Sequence, residues 1–419
     1  MQIYRVDFAS EDGAALLAAA GASEPAILAA LQRLDRVFVV KSTCAPGLCF
    51  AGGEVRATLA SDTVAQSFAF SLAGSGERLT DALASCAGES VERLSQIERA
   101  DDVSAVGSPD AMTGRAMQSV LRLASDLLSR RTESPSDELV WIAAMTLDGA
   151  QTFVPADWCL RRARPGPLSI PGAALSTGCA AGATFDSAAA RALLELVERD
   201  AASLWWVGGQ RARSLSLDSG AMREAARLLG VLRQDHTGRR TWLLDITTDL
   251  DIPVAAALSV GPEGRGLCCG LAARASAMRA ARAAILEMCQ IELALEFVAL
   301  KQAQRGQAGL NDVDRRHLRR ASEIRAQDCP LLHPVAVTLS DEIGVEEADE
   351  LNAVRLALQR KGIEAALVDL TRSDYALPVV AAIAPDLQLL PANLKTTRLR
   401  HVVAATGGTQ QWTGGAPLI

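Results

Sequence analysis

Ala188-Ala-Ala-Arg-Ala-Leu-Leu-Glu195-Leu-Val-Glu198-Arg199 is the stretch on which the reading of this chain turns. It is an Ala-rich run with helical spacing that ends in Glu-x-x-Glu-Arg, and it recurs. Ala82-Leu-Ala-Ser-Cys-Ala-Gly-Glu89-Ser-Val-Glu92-Arg93 has the same form, and Arg282-Ala-Ala-Ile-Leu-Glu287-Met-Cys-Gln290 ends in Glu-x-x-Gln. Gly178 precedes Glu195 by seventeen residues and Gly270 precedes Glu287 by seventeen, while Gly74-Ser75-Gly76 lies at a similar distance before Glu89. Residues three apart share a helix face, with Cβ atoms roughly 5–6 Å from each other. Each copy therefore sets two oxygen-bearing side chains side by side on an otherwise apolar helix. Taken singly, such a pair is an ordinary solvated face. Three copies in matching Gly-to-Glu frames, flanked by Ala87, Leu193, Leu194, Ile285 and Leu286, are too apolar for that, and they point to one site rich in hard oxygen ligands. Carboxylate oxygen suits Mg²⁺, which keeps waters and bridges to substrate phosphates.

Working outward, the composition agrees with a helix-rich α/β protein. Of 419 residues, 49% are hydrophobic but only 4% aromatic, so the core must be built from Ala, Leu and Val. A formal charge of -7 speaks against a nucleic-acid binder, which needs clustered Lys and Arg. No signal peptide is read at the N-terminus, and the apolar stretches, such as residues 378–385, are far short of a membrane span. The nine cysteines lack metal-type spacing, and Cys86, Cys179 and Cys289 read as small core residues. A reduced, cytoplasmic protein is expected. P-loop, Rossmann, zinc-protease and nucleophile-elbow motifs are all absent, and His236, His317, His333 and His401 stand far apart. The chemistry must then come from carboxylates, Arg, Gln and backbone groups.

A second repeat concerns strands. Leu243-Leu-Asp245-Ile-Thr247 followed by Pro253-Val parallels Leu367-Val-Asp369-Leu-Thr371 followed by Pro378-Val. Each is an apolar strand, an Asp-x-Thr turn and a second strand opened by Pro, the position a sheet tolerates. With helices expected over 222–232 and 347–360, this gives an αββ-like unit used twice. Asp245 and Asp369 are read as turn caps and not as catalytic groups.

Together these residues resemble the YcaO family. Gly74-Ser-Gly76 through Ser85, Glu89, Glu92 and Arg93 is similar to its first signature. Ser176-Thr-Gly178-Cys-Ala-Ala-Gly182 with Glu195-Leu-Val-Glu198-Arg199-Asp200 is similar to its second, and Gly270 through Glu287-x-x-Gln290 to its third. The resemblance runs from about residue 62 to about residue 400. It implies an α/β (α+β-like) fold of mixed sheets packed with helices, with an ATP pocket lined by the acidic helices. ATP and Mg²⁺ are the implied cofactors. Glu89, Glu92, Glu195, Glu198 and Glu287 would ligate the metal, and Ser85, Arg199, Gln290, Gly74 and Gly76 would contact the nucleotide. Two regions follow: residues 1–60, a short N-terminal extension with a helix at 27–34 and a strand at 36–41, and residues 61–419, the catalytic domain.

The family's members activate a backbone amide of a ribosomally made peptide. In the cyclodehydratases, a substrate Cys, Ser or Thr attacks the preceding carbonyl and ATP phosphorylates the oxygen. Phosphate elimination then leaves a thiazoline or oxazoline, as in bacteriocin biosynthesis. Such chemistry needs positioning and charge neutralisation, not a catalytic His or Cys. Two departures stand out. Ser75 occupies the place of a lysine found in many relatives, and the end Thr413-Gly-Gly-Ala-Pro417-Leu-Ile419 has one Pro where azoline-forming members have a Pro-rich tail. No side chain is assigned as the catalytic base, and the carboxylate of Ile419 is a candidate. The resemblance implies as partners a precursor peptide and a separate leader-binding or helper protein. A flavin dehydrogenase is a further candidate, and a homodimer is expected. A thioamide- or amidine-forming enzyme with a TfuA-like helper, and a non-catalytic docking subunit, remain as alternatives.

Overall fold

Short side chains and strand-borne glycines let helices lie close on sheets throughout this chain. The computed structural model describes residues 2–8, 10–21, 25–60, 65–130, 138–162, 175, 177–337, 349–389 and 394–418. Strand β1 (Gln2–Val6) leads to helices α1 (Glu11–Gly21) and α2 (Pro25–Gln32), then to β2 (Arg36–Lys41), β3 (Cys49–Ala60) and β4 (Ala65–Gly76). These strands form an antiparallel sheet in the order β1-β2-β3-β4, crossed by α3 (Leu79–Ser95). The expected helix and strand in residues 27–41 are present. β3 is the element the sequence hides, because Gly52-Gly53 reads as a break. Those glycines are there for contact: a Cβ at Gly52 would strike the Phe38 ring, and one at Gly53 would lie 3.0 Å from Cys86 Sγ on α3. β3 and β4 pair along their whole length across residue 60, and Leu31, Val37 and Ala51 share a core with Leu83, Cys86 and Val91.

The chain continues through β5 (Ala105–Gly107), α4 (Gln118–Ser129), β6 (Leu139–Thr146), β7 (Gln151–Pro155) and β8 (Cys179–Ala181) into α5 (Phe185–Trp206). β9 (Arg213–Leu215), α6 (Arg223–Arg233), β10 (Arg240–Asp245), β11 (Val254–Val260) and β12 (Cys268–Ala273) lead into the long α7 (Ala277–Arg305). After α8 (Asp312–Glu323) come α9 (Glu350–Arg360), β13 (Ala366–Asp369), β14 (Val379–Ile383), α10 (Thr397–Thr406) and α11 (Gln410–Thr413). One four-stranded sheet runs β12-β11-β10-β9. The remaining strands make a six-stranded sheet, β5-β6-β13-β14-β8, with β7 paired to β6. This is the mixed α/β architecture expected. Among the described residues no helix is long and apolar enough to cross a membrane.

The repeats are visible as structure. α3, α5 and α7 each begin within four residues of the end of β4, β8 and β12, one strand from each sheet. Thr184 closes a capping box with Ser187 at the start of α5, and Ser276 caps α7 by accepting from the Arg279 amide. The αββ units α6-β10-β11 and α9-β13-β14 are antiparallel hairpins with matching turns. Asp245 Oδ1 accepts from the Thr247 amide (2.9 Å) and Thr247 Oγ1 from the Val254 amide (3.0 Å). Asp369 does the same for Thr371 (2.9 Å), and Thr371 for Val379 (3.2 Å). Even the strained residue recurs: Asp251 (φ 59°) and Ala376 (φ 52°) are both left-handed, each two residues before the proline. Both aspartates are therefore turn caps, as read from the sequence. Residues 347 and 348 of the expected second helix lie outside the described residues.

Candidate active site

The helices that follow the three strands enclose a cavity of about 1350 Å³, whose lining includes Ser85, Glu89 and Glu92 from α3, Glu195, Glu198 and Arg199 from α5, and Glu287 and Gln290 from α7. The mechanism that aims the glutamates is the same on each helix. Glu89 Oε2 accepts from the Ala73 amide (2.8 Å), Glu195 Oε2 from Gly178 (3.0 Å) and Glu287 Oε2 from Leu271 (2.8 Å). The first and third anchors lie on the strand that leads into the helix, and Gly178 directly precedes such a strand. Glu92 accepts from the Ala181 amide (2.8 Å), which ties α3 to β8. For Glu89, Glu195 and Glu287 the amide lies sixteen or seventeen residues before the carboxylate it meets, at or beside the glycine of each sequence frame.

The glycines of that frame have a packing role in the structure. Gly74 and Gly76 are absent from the cavity lining, while Ser75 between them lines it. A Cβ on Gly74 would overlap Ala82 O and lie 2.5 Å from Cys86 N, and one on Gly76 would lie 2.7 Å from Asp81 Cβ. They let α3 seat on β4, and Gly270 does the same for α7 against Ala284 O and Met288 N.

Electrostatically the buried glutamates of the cavity work against one another. Burial, with Glu89 and Glu195 nearby, pushes Glu92 up to about 8, against the pull of its Ala181 hydrogen bond. Burial and Glu198 push Glu287 to about 7. Glu195 is raised by burial although Arg199 and the Gly178 amide oppose it. Burial would lower Arg199, but Glu198, Glu195 and Glu287 together hold it above its ordinary value. Its Nη2 donates to Glu195 (3.2 Å), Nη1 meets Glu198 at 3.4 Å, and its buried Nε has no hydrogen-bond partner.

Mutually repelling carboxylates in one cavity are a fit for a divalent cation. Among the described residues no three acidic, His or Cys groups are already gathered into a ligand cage. Mg²⁺ takes one or two carboxylates and completes its shell with water and phosphate oxygen. Glu92 and Glu287 each keep a second oxygen without a protein partner among the described residues.

Sequence reasoning missed a cationic sector of the same cavity, formed by Arg191, Arg274, Arg279 and Arg316. The available signal is at the start of α7, whose first turn holds no acid but carries Arg279. A cation there opposes the helix dipole unless an anion sits nearby. No histidine lines the cavity among the described residues, and all nine cysteines are free, with Cys86, Cys179 and Cys289 buried. Pro417 lines the cavity, whereas Ser176 and Ile419, and so the carboxylate candidate, lie outside the described residues.

Fold and cavity define a class: an α/β protein that can hold a metal–triphosphate on acidic helices without a P-loop. A family model described as YcaO cyclodehydratase, ATP- and Mg²⁺-binding, matches residues 73–388. The chain belongs to the YcaO family. Solved structures agree in fold. A heterocyclase in complex with substrate and cofactor is similar at a TM-score of 0.70 and 21% identity, covering 92% of this chain and 54% of the other, so the chain spans about half of that protein's length. YcaO from Methanopyrus kandleri bound with AMPPCP and Mg²⁺ gives a TM-score of 0.58 at 18% identity, covering 86% and 87%. The E. coli microcin synthetase McbBCD complex with pro-MccB17 bound gives 0.61 at 15% identity, covering 84% and 88%. No protein of curated function matches the chain.

Proposed function

We propose that this chain is an ATP- and Mg²⁺-dependent cyclodehydratase that converts Cys, Ser or Thr of a ribosomally made peptide to thiazoline or oxazoline. The observation that carries the reading is the convergence of Glu89, Glu92, Glu195, Glu198 and Glu287 with Arg199 in one cavity. ATP, as co-substrate, supplies the phosphoryl group that makes the amide oxygen a leaving group, and Mg²⁺ supplies charge neutralisation. The glutamates would hold the metal, with Glu89, Glu92, Glu195 and Glu287 each aimed by a backbone amide. Arg199 keeps its guanidinium charged among them and turns unpaired donors toward phosphate. Ser85 and Gln290 would position the nucleotide from the walls of α3 and α7, and the cationic sector would neutralise phosphate charge. The attacking group is the substrate's own side chain, which accords with a cavity wall free of histidine.

Neighbours that are complexes with a peptide or with partner chains support a peptide substrate and a separate helper protein for this chain. The test incubates the full chain, a helper protein, MgATP and a Cys/Ser/Thr-rich precursor peptide, then weighs the product and measures phosphate. Loss of one water per modified residue is expected. Exchange of oxygen for sulfur would replace this reading with thioamide formation, and no phosphate release at all would leave a docking subunit. Glu195→Gln and Glu198→Gln are expected to abolish phosphate release with the circular dichroism spectrum unchanged. Full turnover in both variants would remove these glutamates from the metal site.

A further inference from the structure

The wall of the cavity includes Pro417, which sits between Ala416 and Leu418, 2% and 1% exposed. Gly414 (φ 57°) and Gly415 (φ 74°) turn the chain back after α11, a path open to glycine at little cost. Side chains from elsewhere then take hold of its backbone. Trp206 Nε1 donates to Ala416 O (2.8 Å), and Arg319 Nη2 to Gly414 O (3.1 Å). The last described carbonyl, that of Leu418, accepts from Arg320 Nη1.

Arg320 is 0% exposed, and no carboxylate pairs with it among the described residues. Its other donors reach Leu267 O (Nε, 3.3 Å) and the His317 ring (Nη2 to Nδ1, 2.8 Å). Burying a guanidinium on neutral acceptors is unfavourable beside an apolar residue of the same volume. The feature an apolar side chain lacks is a rigid fork of donors, and here that fork joins the carbonyls of Leu267 and Leu418, both remote in sequence, while His317 one turn back on the same helix holds the third donor.

We propose that Arg320 is a positioning residue: from α8 it fastens the Ala416–Leu418 segment to Leu267, directly before β12, and so fixes Pro417 as a wall of the reaction cavity. The proposal rests on the cavity being the reaction site, but its first readout does not. In Arg320→Gln, backbone amide hydrogen exchange across residues 414–418, followed by mass spectrometry in the full chain, should rise by about tenfold or more, while α5 and α7 keep their protection. Phosphate release from MgATP should fall in kcat by about tenfold, with KM for MgATP held within about twofold. Arg319→Gln, which loses one bond to Gly414 and an exposed ion pair with Glu323, should change neither measurement. Arg320→Lys keeps the buried charge with one donor head and carries the same comparison if the glutamine variant does not fold. Unchanged exchange at 414–418 in a folded variant overturns the clamp. Faster exchange with undiminished kcat overturns its role in the reaction, and a rise of KM for MgATP in step with the loss of turnover assigns Arg320 to the nucleotide instead.

Discussion

Arg199 is the one guanidinium held among the glutamates of α5 and α7, and its chemistry differs from that of a lysine. It presents a planar fork, part of which is engaged with Glu195 and Glu198, while Nε remains buried without a partner. Arg199→Lys keeps the charge but removes the fork, so phosphate would meet a single ammonium. We expect kcat/KM for MgATP to drop by about 100-fold, a loss of about 2.7 kcal/mol, with the thermal midpoint nearly unchanged. A change below about threefold would mean that Arg199 neutralises its neighbours and nothing more. This residue, like the five glutamates, is legible in the sequence because helical spacing fixes which side chains share a face. Arg191, Arg274 and Arg316 are not, since arginine makes up nearly all of the 42 basic residues and its presence carries no local signal. Gly74 and Gly76 show a further limit: a glycine reveals that something comes close, but not whether it is a ligand or a helix.

At the scale of elements, the unit is a strand, a short capped turn and a helix pressed onto that strand at a glycine. Gly270 sits opposite the α7 backbone at Ala284 and Met288, one turn from Glu287. In Gly270→Ala the added methyl meets backbone atoms, which cannot rotate away, so β12 and α7 must part. The expected cost is about 3 kcal/mol or more, the upper end for overpacking, and MgATP affinity should fall because the Leu271–Glu287 bond shifts with the helix. Gly230 in α6 has nothing within 4 Å of its would-be Cβ, so Gly230→Ala should stabilise by about 0.5–1 kcal/mol and leave binding alone. Urea unfolding of the pair checks both, and similar behaviour of the two variants would refute the contact argument. The two αββ hairpins were legible down to their turn hydrogen bonds, because Asp-x-Thr and Pro act locally. β1 and β3 were not. β1 is solvent-exposed over most of its length and shows no apolar alternation, and β3 is interrupted by glycines whose reason lies on α3.

For the whole molecule, the site is the place where three sheets meet through their helices, so the carboxylates oppose the assembly that gathers them. Glu92 and Glu287 are raised from the ordinary value of 4.5 to about 8 and about 7. Between those values and 4.5 the folded state binds protons that the unfolded state has released. Stability must therefore fall as pH rises through that window, and level off above about 8. His317, lowered to about 4 by burial and by Arg320, works in the opposite sense, adding stability as pH rises from 4 toward 6.5. Above pH 6.5 its contribution is constant, which leaves the glutamates to set the slope. The thermal midpoint of the metal-free protein should then decline from pH 6.5 to 8.5, and Glu92→Gln should flatten most of that decline. Mg²⁺ with a non-hydrolysable ATP analogue should also flatten it, because a bound cation keeps the carboxylates ionised without repulsion, and the midpoint gained on adding it should be larger at pH 8.5 than at 6.5. A metal-free midpoint independent of pH in this range, or a ligand-induced gain that is greater at pH 6.5, would show that the acidic helices do not share one electrostatic site.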